Sequence, residues 1–232
     1  QSAANEKNSL ICMGMDPVLE EISIQGKNAE ETIVSFYSQI LDACKSENVF
    51  PSACKPNYAF YAQYGFEGLR ALQRVCELVR GMRIPLILDA KRGDIGKTSE
   101  AYAKEVFDFW KADAVTLSPY MGWDTIQAFA EWGKKGKGSY VLARTSNPSA
   151  IDFQSLEINA TPLYQKVSEK IVEWSAKANG NLGAVIGATS IQELEKLHAY
   201  FSSSAQSIPY LIPGIGKQGG SILEVMRVLS GQ

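Results

Sequence analysis

The sequence of 232 residues contains one histidine, His198, and four cysteines with no C-x-x-C pair. A single histidine cannot supply a histidine-rich metal site, nor a Ser-His-Asp triad on its usual terms. The cysteines lie far apart within apolar patterns, which favours reduced thiols in a protein core over disulfides or a zinc site. We therefore expect a cytoplasmic protein without a bound metal.

Long apolar runs and an excess of one charge are also missing. No stretch approaches the roughly 20 apolar residues that a membrane span needs, and the first seven residues are too polar and too short for a signal peptide. Lys and Arg number 23 against 25 Asp and Glu, for a formal charge of −2. This balance argues against nucleic acid and membrane surfaces as partners.

Short apolar segments alternate with amphipathic segments along the whole chain. Repeated strand–helix units imply a parallel sheet with right-handed crossovers, and this length fits one α/β domain over residues 1–232. The sequence therefore predicts a (β/α)8 TIM barrel. The predicted strands cover residues 10–15, 52–55, 85–89, 114–117, 140–144, 184–188 and 210–212.

The connections between these strands show helical periodicity. Apolar residues from Ile33 to Cys44 recur on one helix face, and those from Leu69 to Val79 repeat the pattern. Ser190 and Glu193 have the spacing of a capping box, and a further helix is expected over 221–229. Seven strands do not close an eight-stranded barrel, so we expect the last strand–helix unit to be missing from this sequence.

Two carboxylates and an ammonium group follow the third predicted strand. Since strand side chains alternate, Asp89 and Lys91 are expected on one face, with Asp94 a short step beyond in the next loop. A structural ion pair capping the strand is one interpretation. The second acid, the adjacent Gly93 and the helix expected near Thr98 favour a ligand pocket instead. Two neighbouring carboxylates favour the ammonium form, which indicates a proton donor rather than an amine nucleophile.

Polar residues follow other predicted strands at the same edge. Asp16 ends the first strand, Lys55 ends the second and Ser146 follows the fifth. Barrel enzymes build their active sites from the carboxyl ends of the strands and the loops after them. The glycine-rich segment from Pro213 to Gly220 follows the seventh strand and opens a helix, an arrangement that commonly binds phosphate.

These segments resemble the orotidine 5′-phosphate decarboxylase family, and the run Asp-Ala-Lys-Arg-Gly-Asp-Ile-Gly resembles its bacterial and protozoan type-2 branch. The resemblance spans nearly the whole chain, with the segments in the family's order. They are Gly14-Met15-Asp16-Pro17, Lys55-Pro56-Asn57, the Asp89-x-Lys91-x-x-Asp94-Ile95 pattern, Arg144-Thr145-Ser146-Asn147-Pro148 and the glycine-rich segment after Pro213.

The resemblance implies cofactor-independent decarboxylation of orotidine 5′-phosphate to uridine 5′-phosphate (UMP), the last step of de novo pyrimidine synthesis. Asp89 would lie where the substrate carboxylate must sit, and Lys91 would support and then protonate the carbanion at C6. The implied catalytic network is Lys55, Asp89, Lys91 and Asp94, in which Asp94 comes from the second subunit of a homodimer.

The resemblance also implies a set of substrate-binding residues. Asp16 and Thr98 would hold the ribose, Ser146 and Pro213 the pyrimidine, and Gln218 the phosphate side. Asn57 would lie near the phosphate or ribose, and Ile95 of the partner subunit would contact the base. Family members complete the phosphate grip with an arginine that we expect beyond Gln232.

Two other functions are considered. Magnesium-dependent 3-keto-gulonate 6-phosphate decarboxylases and hexulose 6-phosphate synthases share the Asp-x-Lys-x-x-Asp pattern, although the Lys-Pro-Asn and Arg-Thr-Ser-Asn-Pro segments fit the orotidine enzyme better. The absence of that arginine from this sequence suggests a non-catalytic phosphate-ligand binder as the second alternative. It would, however, keep a buried charge cluster that lowers stability without performing chemistry.

Overall fold

The computed structural model describes residues 2–24, 26–216 and 219–231. Its strands are short; β1–β2, β5–β8 and β8–β9 pair in parallel, and β6 and β7 form an antiparallel hairpin. They are β1 (Cys12–Met15), β2 (Ala53–Pro56), β3 (Ile87–Arg92), β4 (Ala114–Leu117), β5 (Gly138–Arg144), β6 (Glu157–Ile158), β7 (Thr161–Pro162), β8 (Leu182–Ile186) and β9 (Tyr210–Leu211).

Helices connect most of these strands. They are α1 (Ser2–Lys7), α2 (Ala29–Ser46), α3 (Tyr58–Ala62), α4 (Gly65–Gly81), α5 (Gly96–Lys104), α6 (Trp123–Ala130), α7 (Leu163–Lys177), α8 (Ile191–Ser203) and α9 (Ile222–Ser230). Short 3₁₀ segments occur at Leu19–Glu21, Glu131–Lys135 and Pro148–Asp152, and a π-helical segment, Glu105–Phe109, continues α5. Among the described residues, no helix has the length and apolar character needed to cross a membrane.

The first of two compact units contains the residues up to Ala90 together with Ala101–Val115. In it, β1 and β2 pair in parallel, and isolated bridges join Cys54 to Leu86 and Asn57 to Asp89. Helices α2 and α4 pack together, and the apolar positions that the periodicity predicted, such as Ile33 and Leu72, are fully buried. The bridges place the carboxyl ends of β2 and β3 side by side.

The second unit contains Lys91–Glu100 and the residues from Thr116 onward. Here β5 pairs with β8 and β8 pairs with β9, both in parallel. Strands β3 and β4 contribute residues to both units, and the five-stranded sheet has the order β3-β4-β5-β8-β9. Each of the seven predicted strands overlaps an observed one, and the parallel α/β arrangement of a (β/α)8 barrel-type fold is confirmed.

Two local features differ from the sequence-based expectation. The antiparallel hairpin of β6 and β7 was not predicted, because each strand has two residues and no apolar alternation. Helix α8 begins after Ser190 as predicted, but the capping box is wrong, since the Ser190 side chain makes no cap hydrogen bond. The Glu193 carboxylate instead accepts a hydrogen bond from Nε of Arg144, a buried guanidinium that needs a charge partner.

Candidate active site

Lys55 and Asp89 form a buried ion pair at the carboxyl ends of β2 and β3. Lys55 Nζ lies 3.0 Å from Asp89 Oδ2, and the two side chains are 13% and 10% exposed. The bridge between Asn57 and Asp89 fixes the register that brings the two side chains together. Desolvation of two charges costs several kcal/mol per ion, so the pair is stable only while both partners are present. This end of the first unit therefore holds a positioned ammonium group and a positioned carboxylate.

Asp16 adds a second carboxylate to the electrostatic environment of Lys55. Burial alone would lower the pKa of Lys55, but the carboxylates of Asp89 and Asp16, with the hydrogen bond to Asp89, outweigh it and raise the pKa. Burial also raises the pKa of the nearby Cys12 thiol to about 11, with Asp89 and Asp16 acting in the same direction and Lys55 against them. Cys12 is therefore a neutral thiol at physiological pH, and no motif in the sequence predicted its position beside this cluster.

Lys91 leaves the extended conformation at the end of β3. Its φ is +44°, in the left-handed region that costs a non-glycine residue roughly 1–2 kcal/mol. The sequence argument that Asp89 and Lys91 share a face assumed an extended backbone at Lys91, and the left-handed φ removes that basis. The Lys91 N–H donates to Thr116 Oγ1 at 3.0 Å, and the Arg92 carbonyl accepts from the Ser118 N–H at 2.8 Å. The end of β3 is thereby fastened to β4 on both sides of Lys91.

Asp94, Ile95 and Thr98 lie in the loop after β3 and the first turn of α5. Asp94 Oδ1 accepts a hydrogen bond from the Ile95 N–H at 2.8 Å. Helix α5 begins at Gly96, whose φ of +52° suits glycine, two residues before the predicted start. Ile95 is 58% exposed and Thr98 is exposed. Ile95 and Thr98 are therefore both exposed, whereas Asp94 is half-buried.

The Ser146 loop is fastened by a polar network in the second unit. Arg144 bonds Glu193 through Nε and the Thr145 carbonyl through Nη1. Gln154 Oε1 accepts from the Thr145 N–H at 2.9 Å, while Gln154 Nε2 donates to Thr145 Oγ1 at 2.8 Å. The residue before Ser146 is thus held on its backbone and its side chain by one glutamine.

Ser146 also packs against the segment that follows β8. A Cβ on Gly187 would lie 2.9 Å from both Cα and N of Ser146, so the approach requires glycine. Thr189 Oγ1 donates to the Ser146 carbonyl at 3.1 Å. A cleft of about 630 Å³ opens here, within the usual size range of small-molecule sites. It is lined by Arg144, Ser146, Asn147, Pro148, Thr189 and Ser190.

The glycine-rich segment joins the same unit through Pro213. The Pro213 carbonyl accepts a hydrogen bond from the Ala188 N–H at 2.8 Å, which brings the ends of β8 and β9 together. A Cβ on Gly220 would lie 2.6 Å from the Gly214 carbonyl oxygen, so the segment folds back closely on itself. Gln218, predicted to contact phosphate, and its neighbour Lys217 lie outside the described residues. Helix α9 follows, with Ser221 as its N-cap.

Asn57 has a structural role that the sequence did not predict. Its Oδ1 accepts from the Ala59 N–H at 3.1 Å and caps the short helix α3. The described residues thus bring together Lys55, Asp89 and the charge of Asp16 in one unit, and Ser146 and Pro213 around the end of β8 in the other. Within the described ranges, no group of three or more His, Cys, Asp and Glu residues is arranged to hold a metal ion.

Comparison with known proteins assigns the family. Residues 10–230 match the model of the Orotidine 5′-phosphate decarboxylase / HUMPS family, and the chain belongs to this family. An orotidine 5′-phosphate decarboxylase of Herpetosiphon aurantiacus is 39% identical over 100% of this chain and 83% of its own. The family membership inferred from the motifs is confirmed.

Solved structures agree with this assignment. The OMP decarboxylase of Leishmania donovani is 36% identical, with a TM-score of 0.78 over 92% of this chain and 79% of its own. The UMP synthase of the same organism is 36% identical, with a TM-score of 0.84 over 97% of this chain. This chain spans about half, 47%, of the length of that synthase.

Proposed function

We propose that this chain catalyses the decarboxylation of orotidine 5′-phosphate to UMP, without a cofactor. The observation that carries the proposal is the buried Lys55–Asp89 pair at the strand ends, in a chain of this family. Retaining two desolvated charges lowers stability, so a catalytic use accounts for their presence better than a structural one. Family membership and relatives that carry this activity in their names support the same conclusion.

In the proposed reaction, Asp89 lies against the substrate carboxylate and favours its loss as CO₂. The electron pair of the broken carbon–carbon bond stays at C6, where the Lys91 ammonium first stabilises it and then donates a proton to it. Lys55 stays cationic across the neutral range, because its pKa is raised, and so holds Asp89 in place. Asp94 completes the charge network.

The substrate would be bound by residues that follow several of the strands. Asp16 and Thr98 would bind the ribose, Asn57 the phosphate or ribose, Ser146 and Pro213 the pyrimidine, and Gln218 the phosphate side. The cleft beside Ser146 and the close turns of the glycine-rich segment support this assignment. Binding energy from the phosphate, remote from the reacting carbon, would then support the chemical step.

We also propose a homodimer in which Asp94, Ile95 and Thr98 complete the pocket of the partner subunit. The exposed position of Ile95 and Thr98 supports this, since an exposed apolar side chain on a loop of charged residues suits burial by a second copy. A single barrel domain over residues 1–232 is supported by β3 and β4, which each contribute to both compact units. A cytoplasmic location is supported by the four cysteines, all free thiols.

The test is a decarboxylation assay that follows the loss of orotidine 5′-phosphate absorbance, run with and without a metal chelator. We expect turnover that the chelator leaves unchanged. Lys91→Ala should lower the rate by at least about 10²-fold, as loss of a general acid does, with an unchanged circular dichroism spectrum. The control is Lys170→Ala, at an exposed lysine of α7.

Two outcomes would contradict the proposal. Activity that collapses with chelator and returns with magnesium would favour the 3-keto-gulonate or hexulose phosphate chemistry. No turnover by folded wild-type protein that still binds UMP would favour a non-catalytic phosphate-ligand binder.

A further inference from the structure

Strand β4 contains one hydroxyl in an otherwise apolar sequence. Its four residues, Ala-Val-Thr-Leu, are all buried, and Thr116 is 2% exposed. A valine would match its shape and β-branching and would need no hydrogen bond, whereas a buried hydroxyl without a partner is unfavourable. The presence of threonine therefore calls for an explanation beyond packing.

One partner of this hydroxyl is the backbone of Lys91. Thr116 Oγ1 accepts the Lys91 N–H at 3.0 Å, and Lys91 has the left-handed φ of +44°. A strained conformation of this kind persists only where surrounding contacts determine it, and such residues cluster at functional sites. Two residues after Thr116, just beyond the end of β4, the Ser118 N–H donates to the Arg92 carbonyl at 2.8 Å. The two bonds flank the Lys91 Cα and fix the direction in which its side chain leaves the backbone.

We propose that Thr116 is a positioning residue, which holds Lys91 in the backbone conformation that aims its ammonium group at the reacting carbon. The inference rests on the proposed function, in which Lys91 donates the proton. Thr116 acts through the Lys91 backbone and has no role in proton transfer itself. Misplacement of a catalytic group by about 1 Å can cost about 10²-fold in rate, so loss of this single hydrogen bond should be visible in kcat.

The experiment compares three single variants. Thr116→Val removes the acceptor and keeps the shape, while Thr116→Ser keeps the acceptor. Thr125→Val is the matched control, because Thr125 is a fully buried threonine of the same unit whose hydroxyl has no hydrogen-bond partner among the described residues. We expect kcat of Thr116→Val to fall about 10- to 100-fold with KM within about threefold, and the other two variants to stay within about threefold of wild type.

A second readout does not depend on activity. Amide hydrogen exchange of Lys91, measured by NMR, should accelerate at least about tenfold in Thr116→Val and remain protected in Thr116→Ser and Thr125→Val. If the wild type fails to decarboxylate orotidine 5′-phosphate, the proposed function is wrong, and the exchange rates still decide whether Thr116 holds Lys91. If Thr116→Val does not fold, Thr116→Ala against Thr116→Ser makes the same comparison.

Three results would overturn the inference. In the first, Thr116→Val keeps wild-type kcat. In the second, Thr116→Ser loses as much kcat as Thr116→Val, which would mean that packing rather than the hydrogen bond matters. In the third, Lys91 exchange is the same in all variants, so that another contact holds its backbone.

Discussion

Lys55 and Asp89 place two opposite charges where the solvent reaches only 13% and 10% of their side chains. Each ion alone would be strongly disfavoured there, and each is tolerated because the other lies 3.0 Å away. The consequence for stability is asymmetric. Removal of one partner leaves an uncompensated charge, whereas removal of both leaves an apolar space that can repack.

At the residue scale, we predict that Lys55→Met lowers the free energy of unfolding at pH 7 by about 3–5 kcal/mol. The double variant Lys55→Met/Asp89→Leu should lose less than the sum of its single changes. The pH dependence has a definite sign. Because the pKa of Lys55 is raised in the folded state, its contribution is fully present below its ordinary pKa of 10.5 and is lost as the pH rises through the higher folded value.

Urea unfolding between pH 7 and pH 11.5 measures this effect. Wild-type protein should lose stability above about pH 10.5 more steeply than Lys55→Met does, with the exposed Lys170→Met as the control. Parallel curves for all three proteins would show that the ion pair does not raise the pKa of Lys55.

At the scale of single elements, two helices that look alike in sequence begin differently. Asn28 Oδ1 accepts from the Glu31 N–H at 2.9 Å and caps α2, while Ser190 makes no such bond at the start of α8. Glu193, which the sequence pattern assigns to Ser190, is bound to Arg144 instead. The same Ser/Asn-x-x-Glu spacing thus contributes a cap at one helix and a buried ion pair at the other.

We predict that Asn28→Ala lowers the free energy of unfolding by about 1 kcal/mol, whereas Ser190→Ala lowers it by less than about 0.5 kcal/mol. The physical reason is that only Asn28 satisfies a backbone N–H at its helix start. Chemical denaturation of both variants under identical conditions gives the comparison. If Ser190→Ala lowers the free energy of unfolding as much as Asn28→Ala does, Ser190 caps α8 and the capping-box prediction is right.

The strands and helices could be predicted because their apolar periodicity is a local property, as the buried face of α2 illustrates. Non-local contacts could not be predicted in the same way. Arg144 lies 49 residues from Glu193 in the sequence. The local sequence around Ser190 therefore does not indicate that Glu193 binds Arg144 rather than taking part in the helix cap. The resemblance implied a charge network that includes Lys55 and Asp89, whereas strand alternation could not predict that Lys91 has a left-handed φ, with its N–H bound to a side-chain hydroxyl of β4. Thr189 was missed because an isolated threonine carries no motif.

At the scale of the whole molecule, we predict that each active site is shared between two subunits. Under this arrangement, Lys91→Ala and Asp94→Asn proteins are each inactive. A mixed dimer has one site with both lesions and one intact site, which takes Lys91 from one chain and Asp94 from the other. Random subunit exchange should therefore restore roughly a quarter of wild-type activity.

Mass spectrometry confirms that exchange has occurred, and the decarboxylation assay then gives the recovery. As a control, mixing Lys91→Ala with Lys55→Met should restore no activity. Lys55 and Lys91 of one chain serve the same site, together with Asp89 of that chain, so each site of the mixed dimer carries one of the two lesions. No recovery from the Lys91 and Asp94 pair despite proven exchange would show that Asp94 acts within its own subunit.

The left-handed backbone at Lys91 also bears on how this position can evolve. Glycine and asparagine adopt such a φ at a lower free-energy cost than lysine. Selection for thermal stability alone would therefore favour one of these two residues at position 91. A population that must make its own pyrimidines would keep lysine and accept a lower melting temperature. Position 91 is thus a site where fitness and folding favour different residues, and its neighbours in β4 are the natural places for compensating changes to arise.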